Sequence, residues 1–365
     1  MSSSAEAETK VKPFVVSVSA RALFDLEDAH EIFEREGREA FIRHMIENED
    51  KPLSPGPAMG LIRKLLNLNQ MLPPEAPHVE VVLISRNGAE TAPRLFNSME
   101  HHNVPLLRSV LTDGEPSSKY IRHLKVNLFL SSNPDQVVKA LSENIGAATM
   151  MPRPAAQDTQ NPTQQRRQDQ IRIAFDGDAV LFSDESEKEF AAGQLEGFNR
   201  FEEQHRNRSL PGGPLRSFLE FLHTVQQFLP AGDESPVRTA LVTARGNQGA
   251  WRPLRTFKEW GIHVNEAMFM AGADKAAVVA EFGPDLFFDD SKSHIQNAMK
   301  YVNAGHVPYG VRNQAGADER NFTGGGQELD AQANGGKPLA GQTDPDRPGA
   351  DAAEIRTPAR RPRPR

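Results

Sequence analysis

Polar side chains follow four short apolar segments in the second half of the chain, close to the point where each segment ends. They are, in chain order, Asp176, Asp178, Thr243, Lys275, Asp289 and Asp290. Crowded carboxylates repel one another unless a cation joins them, and oxygen ligands without cysteine or clustered histidine suit Mg²⁺. The pattern therefore predicts a magnesium site, and its predicted ligands are Asp176, Asp178, Asp289 and Asp290.

Together these groups are suited to phosphoryl transfer. A carboxylate beside Mg²⁺ and Lys275 can attack an electrophilic phosphorus, because the metal and the ammonium neutralise the charge of the phosphate. A second carboxylate two residues along can protonate the leaving oxygen and then deprotonate water. Thr243 and Lys275 can hold the non-bridging oxygens. A single Asp-x-Asp is common in turns, and paired aspartates can cap a helix, but four such pieces in order favour a functional site.

Strands that alternate with helices must position these residues. The predicted strands cover residues 14–18, 79–84, 109–112, 127–131, 148–151, 171–176, 238–243, 267–270, 285–289 and 306–309. Between two of them, residues 215–228 carry apolar side chains at helical spacing. This alternation is typical of parallel βαβ units. We therefore predict an α/β fold of doubly wound parallel sheets, which bind ligands beyond the carboxyl ends of their strands.

The two halves of the chain resemble each other at an almost constant offset. The segment that begins at Leu83 resembles the one at Leu241, and the segment at Asn127 resembles the one at Asp285, in both cases 158 positions later. Between the first two strands the offset slips by a single residue. Chance similarity of short apolar strands would not hold one offset across many elements, so we predict an internal duplication.

The first copy lacks the acidic residues of the second. Aligned at this offset, the counterparts of Asp176, Asp178, Thr243, Lys275, Asp289 and Asp290 are Val18, Ala20, Ser85, Ser117, Ser131 and Ser132. Without carboxylates, we expect neither a metal site nor a nucleophile in this half. The first copy then either packs against the active copy and shapes its pocket, or binds an effector nucleotide, since fold alone does not confer function.

At these residues the chain resembles a known family. Asp176-Gly-Asp178, Thr243, Lys275 and Asp289-Asp290 resemble the four motifs of the haloacid dehalogenase-like (HAD) phosphatase superfamily. Several longer stretches are more similar still to the cytosolic 5′-nucleotidase type I family, namely residues 53–58, 147–150, 174–187, 241–245, 271–275 and 287–290. The resemblance covers about residues 15–300 and leaves out both ends of the chain.

The resemblance implies a Mg²⁺-dependent hydrolase of nucleoside 5′-monophosphates, with AMP or IMP as the expected substrate. Asp176 would be the nucleophile that forms an aspartyl-phosphate. Asp178 would be the general acid and base, with its backbone carbonyl on Mg²⁺. Thr243 and Lys275 would bind the phosphoryl group. The residues that complete the implied metal site are Asp290 and its support, Asp289.

Recognition of the base is predicted from an insertion over about residues 183–236, which we expect to form a helical cap over the site. The candidate side chains for contact with the substrate are Phe198, Phe201 and His205, beside Glu202. A nucleobase can stack on an aromatic ring; alternatively these rings pack the core of the cap, since Phe198 has a counterpart in Phe41. Arg245 can contact phosphate or ribose, or pair with a carboxylate.

The predicted domains are a degenerate HAD-like copy over residues 11–151 and a catalytic HAD-like domain over 171–312. Segments of polar, Pro-rich or Gly-rich composition are predicted to be disordered, and they cover residues 1–10, 152–170 and 313–365. The 365 residues contain no cysteine, which excludes disulfides and thiolate chemistry. Without a secretion signal or an apolar run near the roughly 20 residues of a membrane span, we expect a cytoplasmic protein.

The expected partner is a nucleoside monophosphate, and neither a membrane nor nucleic acid, because the formal net charge is −7. A homo-oligomer stays open. Two other functions also stay open. One keeps the aspartyl-phosphate chemistry but acts on another small phosphate ester, or passes the phosphoryl group to another alcohol. The other is a nucleotide-binding regulatory protein with little turnover.

Overall fold

A computed structural model of the chain describes residues 11–151 and 170–314, which all lie in one compact unit. The predicted disordered segments fall outside the described residues, except for Gln170 and the two residues after position 312. Gln170 is tied to its surroundings, because its Nε2 donates to the carbonyl of Ser235 at 2.8 Å. Within the described ranges, the structure contains no helix long and apolar enough to span a bilayer.

Ten strands form one sheet. They are β1 (Phe14–Val18), β2 (Val79–Ser85), β3 (Arg108–Leu111), β4 (Leu128–Ser131), β5 (Gly146–Met151), β6 (Ile171–Phe175), β7 (Val237–Thr243), β8 (Glu266–Phe269), β9 (Leu286–Asp289) and β10 (Ala304–His306). Their order is β3-β2-β1-β4-β5-β10-β9-β6-β7-β8. All neighbours are parallel except β5 and β10, which are antiparallel. The prediction of a mostly parallel α/β fold is confirmed, although β10 begins and ends earlier than expected.

Helices connect the strands. They are α1 (Ala20–Leu23), α2 (Glu27–Glu36), α3 (Arg38–Glu47), α4 (Met59–Leu68), α5 (Ala92–His101), α6 (Pro134–Ser142), α7 (Glu185–Gln204), α8 (Arg216–Gln226), α9 (Trp251–Trp260), α10 (Ala276–Phe282) and α11 (Lys292–Ala298). The cap predicted over 183–236 contains both α7 and α8. Helix α8 buries an apolar stripe, including Phe218 and Leu222, among the side chains of the sheet. Of these two helices, α8 therefore belongs to the layer that covers the sheet.

Both faces of the second set of strands are covered by apolar side chains. Ile173 and Phe175 of β6 belong to one buried cluster, whereas Ala174 between them belongs to another. Side chains of a strand alternate between the two faces of the sheet, so neither face of β6 meets solvent. A parallel strand buried on both faces is the expected result of helical crossovers.

The two sets of five strands have the same internal order, β3-β2-β1-β4-β5 and β8-β7-β6-β9-β10. After the first strand of each set, the amide of Ser19 donates to Leu130 at 2.9 Å and that of Asp176 donates to Phe288 at 2.8 Å. Ser19, and not Val18 as predicted, therefore occupies the position of Asp176. The alignment was one residue off because the second set carries its extra residue directly after this strand.

Candidate active site

Lys275 lies between two carboxylates at the carboxyl ends of β6 and β9. Its Nζ is 2.8 Å from Oδ1 of Asp176 and 2.9 Å from Oδ2 of Asp289. All three side chains are buried. Burial alone lowers the pKa of Lys275, but the two carboxylates outweigh it and hold that pKa above its usual value. The amine is therefore a fixed positive charge, placed by the turn that precedes α10.

The pKa values of the two carboxyl groups beside Lys275 are shifted in opposite directions. Burial raises the pKa of Asp176 more than Lys275 lowers it. For Asp289, burial is outweighed by Lys275 and by His294, so its pKa lies below the usual range. Asp289 is also held in place, because it accepts from the amide of Ser291 at 2.8 Å and lies 3.1 Å from Nδ1 of His294. A permanently ionised Asp289 thus stands next to a less acidic Asp176.

Asp178 lies in the turn directly after β6 and is paired with Arg245. The guanidinium donates to both carboxylate oxygens, from Nε at 2.7 Å and from Nη2 at 2.6 Å. The same guanidinium donates to Glu202 at 2.5 Å and to the hydroxyl of Ser186 at 2.8 Å. Burial lowers the pKa of Arg245, and its two carboxylate partners raise it further than that. Of the contacts considered for Arg245, the structure shows the pair with a carboxylate.

Thr243 ends β7 and is buried beside the turn that carries the aspartates. A Cβ added at Gly177 would lie 3.4 Å from the Thr243 hydroxyl, so a hydroxyl and the backbone between the two aspartates are close neighbours. The hydroxyl oxygen accepts from the amide of Arg245 at 3.2 Å. The structure thus brings Thr243 to the position that the sequence predicted.

A second acidic pair lies at the same end of the sheet. Arg312 joins it, because its Nη2 donates to Glu187 at 3.0 Å and its Nε lies 3.3 Å from Oδ2 of Asp290. Burial, with the neighbouring carboxylates, raises the pKa of Glu187 to about 7 and that of Asp290 well above its usual value, despite Arg312. Asn313, the first residue of the segment predicted to be disordered over 313–365, donates to the carbonyl of Asp290 at 3.0 Å.

The predicted base-binding residues divide into two groups. The ring centroid of Phe198 lies 5.2 Å from Cζ of Arg245, at the edge of the site. Phe201 instead faces Arg252, at 5.4 Å, and its carbonyl is 2.8 Å from Nδ1 of His205. Only Phe198 of these three side chains thus contacts a guanidinium that is bonded to Asp178. Base stacking stays a prediction.

Among the residues that the structure describes, one group of side chains could hold a metal ion. Ligand atoms of Asp176, Asp289 and His294 all lie within 4.8 Å of one another. Of the four predicted ligands, Asp176 and Asp289 are brought together, whereas the side chains of Asp178 and Asp290 are turned towards arginines.

Sequence reasoning gave no role to several residues of the site, namely Ser186, Glu187, His294, Arg312 and Asn313. Glu187 stands in an acidic run after the first motif, which is the one local signal that could have found it. His294 lies five residues after Asp289, which it contacts, but nothing in its local pattern indicated this. Arg312 and Asn313 offered no signal, because Asp290, which they contact, is distant in sequence.

The chain also resembles known proteins. A family model described as 5′-nucleotidase matches residues 5–314. The chain belongs to the 5′-nucleotidase family. This membership confirms the prediction of a 5′-nucleotidase family, reached above from the motifs alone.

Two further comparisons differ greatly in strength. Human cytosolic 5′-nucleotidase 1B is 36% identical to the chain over 294 residues, which are 78% of this chain and 47% of the human protein. The chain thus spans about half the length of that relative. A crystal structure described as a UDP-N-acetylglucosamine 2-epimerase from Listeria monocytogenes is 11% identical, covers 89% of each chain and has a TM-score of 0.19, which supports no conclusion.

Proposed function

We propose that the chain hydrolyses nucleoside 5′-monophosphates, AMP or IMP, through an aspartyl-phosphate on Asp176. The observation that carries this proposal is the buried ammonium of Lys275, 2.8 Å from Asp176 and 2.9 Å from Asp289. A buried cation next to a carboxylate can hold a phosphate dianion while the carboxylate attacks it. Membership of the 5′-nucleotidase family supports the choice of substrate.

In the first step, Oδ of Asp176 attacks the phosphorus and the bond to the 5′ oxygen of the nucleoside breaks. The leaving oxygen takes a proton from Asp178, so a nucleoside departs. Arg245 donates to both carboxylate oxygens of Asp178, so one of these two bonds must be given up when Asp178 takes up the proton that it donates. Lys275 and Thr243 are placed to bind the oxygens of the phosphoryl group as charge develops on them.

In the second step, water attacks the phosphorus of the aspartyl-phosphate and loses a proton to Asp178, which is now a carboxylate. The bond between phosphorus and Asp176 breaks, so inorganic phosphate leaves and both side chains return to their starting forms. The amine of Lys275 stays charged throughout, because its pKa lies above the usual value.

The residues present fit Mg²⁺. All the carboxylates offer hard oxygen ligands, and the buried Oδ2 of Asp290, although 3.3 Å from Nε of Arg312, accepts no hydrogen bond within the described ranges. Asp176, Asp289 and Asp290, with the backbone carbonyl of Asp178, would hold the ion. When bound, the ion would neutralise negative charge on the phosphate and on the crowded carboxylates.

The proposal extends to the architecture, in which two HAD-like halves arose by duplication and only the second kept its acidic residues. The equal strand order of the two sets and the equal hydrogen bonds at Ser19 and Asp176 support it. The carboxylates are almost inaccessible, and α7 carries Glu187 and Glu202, which bond to arginines of the site.

The test is release of phosphate from a panel of nucleoside monophosphates and sugar phosphates, with Mg²⁺ or with EDTA. We expect release from AMP or IMP that depends on Mg²⁺. Preference for a sugar phosphate would overturn the proposal that the substrate is a nucleoside monophosphate. No turnover of any ester would overturn the proposal that the chain is a phosphatase.

Two variants make this test specific. Asp176→Asn should abolish release and keep the fold, whereas Asp233→Asn, the same change at a fully exposed side chain of the same half, should leave release unchanged. A trapped phosphoenzyme in the wild-type chain, absent from Asp176→Asn, would identify the nucleophile.

A further inference from the structure

A cavity of about 590 Å³ lies at the carboxyl ends of β1, β2 and β4, in the first set of strands. Pockets for small molecules span roughly 300–1,000 Å³, so the cavity is large enough for a nucleotide. It occupies the place that the acidic site takes in the second set, because Ser19 and Ser85 line it and are the counterparts of Asp176 and Thr243.

Neutral hydroxyl groups replace the carboxylates of the acidic site. Ser131 and Ser132 line the cavity where the second set has Asp289 and Asp290, and Ser117 takes the place of Lys275. The carboxylates of the acidic site require a cation before a phosphate can approach, because like charges repel. A floor of hydroxyls does not repel a phosphate, so a phosphate does not need a metal ion there.

The charged groups around the cavity favour an anion. Three arginines line it, against two acidic residues. The carboxylate of Asp113 is already bound by Arg38 at 2.5 Å. Arg21 instead pairs with Glu27, which lies outside the lining, and Arg86 donates its Nε to a backbone carbonyl. Arg86 is thus the one arginine of the lining without a carboxylate partner among the described residues.

An unused donor points to a ligand as well. The buried Nδ2 of Asn87, a residue of the lining, has no hydrogen-bond partner within the part of the chain that the structure describes. Its other side-chain atom, Oδ1, accepts from the hydroxyl of Ser85 at 3.0 Å. A buried donor without an acceptor costs free energy, and an oxygen of a bound phosphate would satisfy it.

One wall of the cavity is apolar and aromatic. Phe33 and Phe41 line it with their rings perpendicular and their centroids 6.1 Å apart. Phe33 is 43% exposed, so part of its ring is open to a ligand in the cavity. Leu26 and Ile42 extend the same wall. A planar ring on a ligand would cover this surface while its phosphate reaches the hydroxyls.

We propose that this cavity binds a phosphate monoester that carries a ring, of the size of a nucleotide, without metal and without turnover. The site goes beyond the proposed hydrolysis and does not depend on it, because no residue of the acidic site lines the cavity. Its ligand is held by hydroxyls, an amide and arginines at one end and by aromatic rings at the other.

Calorimetry of the full chain in EDTA tests this proposal, with AMP, inorganic phosphate and adenosine as separate probes. We expect AMP to bind at one site and to bind more tightly than either of its parts, because each part contacts only one end of the cavity. No binding of AMP up to millimolar concentration would overturn the proposal. Equal affinity for adenosine would overturn the role of the phosphate.

Three substitutions test whether AMP binds in this cavity. Ser132→Asp adds a carboxylate to the half-buried rim and should weaken binding of AMP tenfold or more. Arg21→Ala should weaken it about three- to fivefold. Arg122→Ala, which removes another surface arginine paired with a single glutamate, should change nothing. Binding that survives the first two substitutions would lie elsewhere and overturn the proposal. If Ser132→Asp fails to fold, Arg21→Ala decides alone.

The outcomes of these binding experiments can be distinguished from the outcomes of the phosphate-release test. Turnover in Mg²⁺ without binding in EDTA would overturn this site and leave the proposed function intact. Binding in EDTA without turnover in Mg²⁺ would do the reverse.

Discussion

The two sets of strands share their turns in detail but not their polar residues. After the third strand of each set, two successive residues have positive φ, 49° and 91° at Asp113 and Gly114 and 50° and 83° at Ala271 and Gly272. The amides of both glycines donate back to the loop after the second strand, at 2.7 and 2.8 Å. The backbone that positions a site is thus present twice.

The helical segments after the first strands correspond as well. Gly37 separates α2 from α3 with φ of 85°, and α7 has a single break, at Gln194, with φ of 51°. Side chains make the difference. Carboxylates and Lys275 stand at the strand ends of the second set, and hydroxyls stand at those of the first. The comparison teaches that the sheet fixes where functional side chains can stand, whereas the charge of those side chains determines which chemistry the site can perform.

The strongest test of this comparison moves an acid between the sets. Asp176→Asn should reduce turnover by about 10³-fold or more, because it removes the proposed nucleophile. Adding Ser19→Asp to that variant should restore nothing, since Ser117 offers no ammonium beside it. Phosphate release from AMP in Mg²⁺ measures both. Recovery of activity in the double variant would contradict this expectation. It would mean that a carboxylate on the backbone of the first set is almost enough for catalysis without the ammonium.

A second test compares stability at equivalent positions. Lys275→Met leaves the buried Asp176 and Asp289 without their shared cation, so the free energy of unfolding should fall by about 3–5 kcal/mol. Ser117→Ala removes only a bond of 2.7 Å to Gln136 and should cost about 1 kcal/mol. Urea unfolding in EDTA measures the difference. Equal losses would contradict the electrostatic account of the second site.

Two glycines provide a test in which the sets should behave alike. A Cβ at Gly213 would lie 2.3 Å from the carbonyl oxygen of Phe182, and one at Gly56 would lie 2.8 Å from that of Ala22. Each change to alanine should destabilise the protein by about 1–3 kcal/mol. Gly60→Ala is the control, because nothing lies within 4 Å of its Cβ in helix α4, and it should stabilise slightly. A loss confined to one set would break the correspondence.

The smallest expected effect is a pH dependence that only the acidic set should have. Glu187 has a pKa of about 7 in the folded protein and about 4.3 when unfolded. Between these values only the folded state holds the proton, so the stability of the metal-free protein should fall as pH rises. Unfolding in EDTA between pH 5 and 8 measures the slope.

Glu187→Gln separates this contribution from that of His306, because His306 is present in both the wild type and the variant. Burial lowers the pKa of His306, so its effect on stability runs in the opposite direction. The variant should lose less stability than the wild type across that range. Identical slopes would show that Glu187 does not contribute to the pH dependence of stability.

The sequence predicted what local patterns determine. Apolar runs predicted the ten strands, and the rule that ligands lie beyond the ends of parallel strands predicted that Asp176, Lys275 and Asp289 lie close together. It could not predict the join of β5 to β10, because edge pairing between His306 and Thr149 leaves no periodic signal. The alignment at Val18 was wrong because neighbouring apolar residues of a strand are interchangeable in a pattern.

The sequence also did not predict which charged side chains of the site pair with each other. Asp290 meets Arg312 and Asp178 meets Arg245 across long stretches of chain, and neither arginine stands in a pattern that names its partner. Such contacts depend on how loops close over the sheet, which spacing along the chain does not record.

The antiparallel contact between β5 and β10 has a geometric consequence. All strands of each set run the same way, so reversing direction at the join makes the strands of the two sets terminate on opposite sides of the molecule. A molecule seated among the serines could neither shield nor crowd one seated among the aspartates. Any communication between the two would have to be mechanical, transmitted as a shift of one strand against another across the seam.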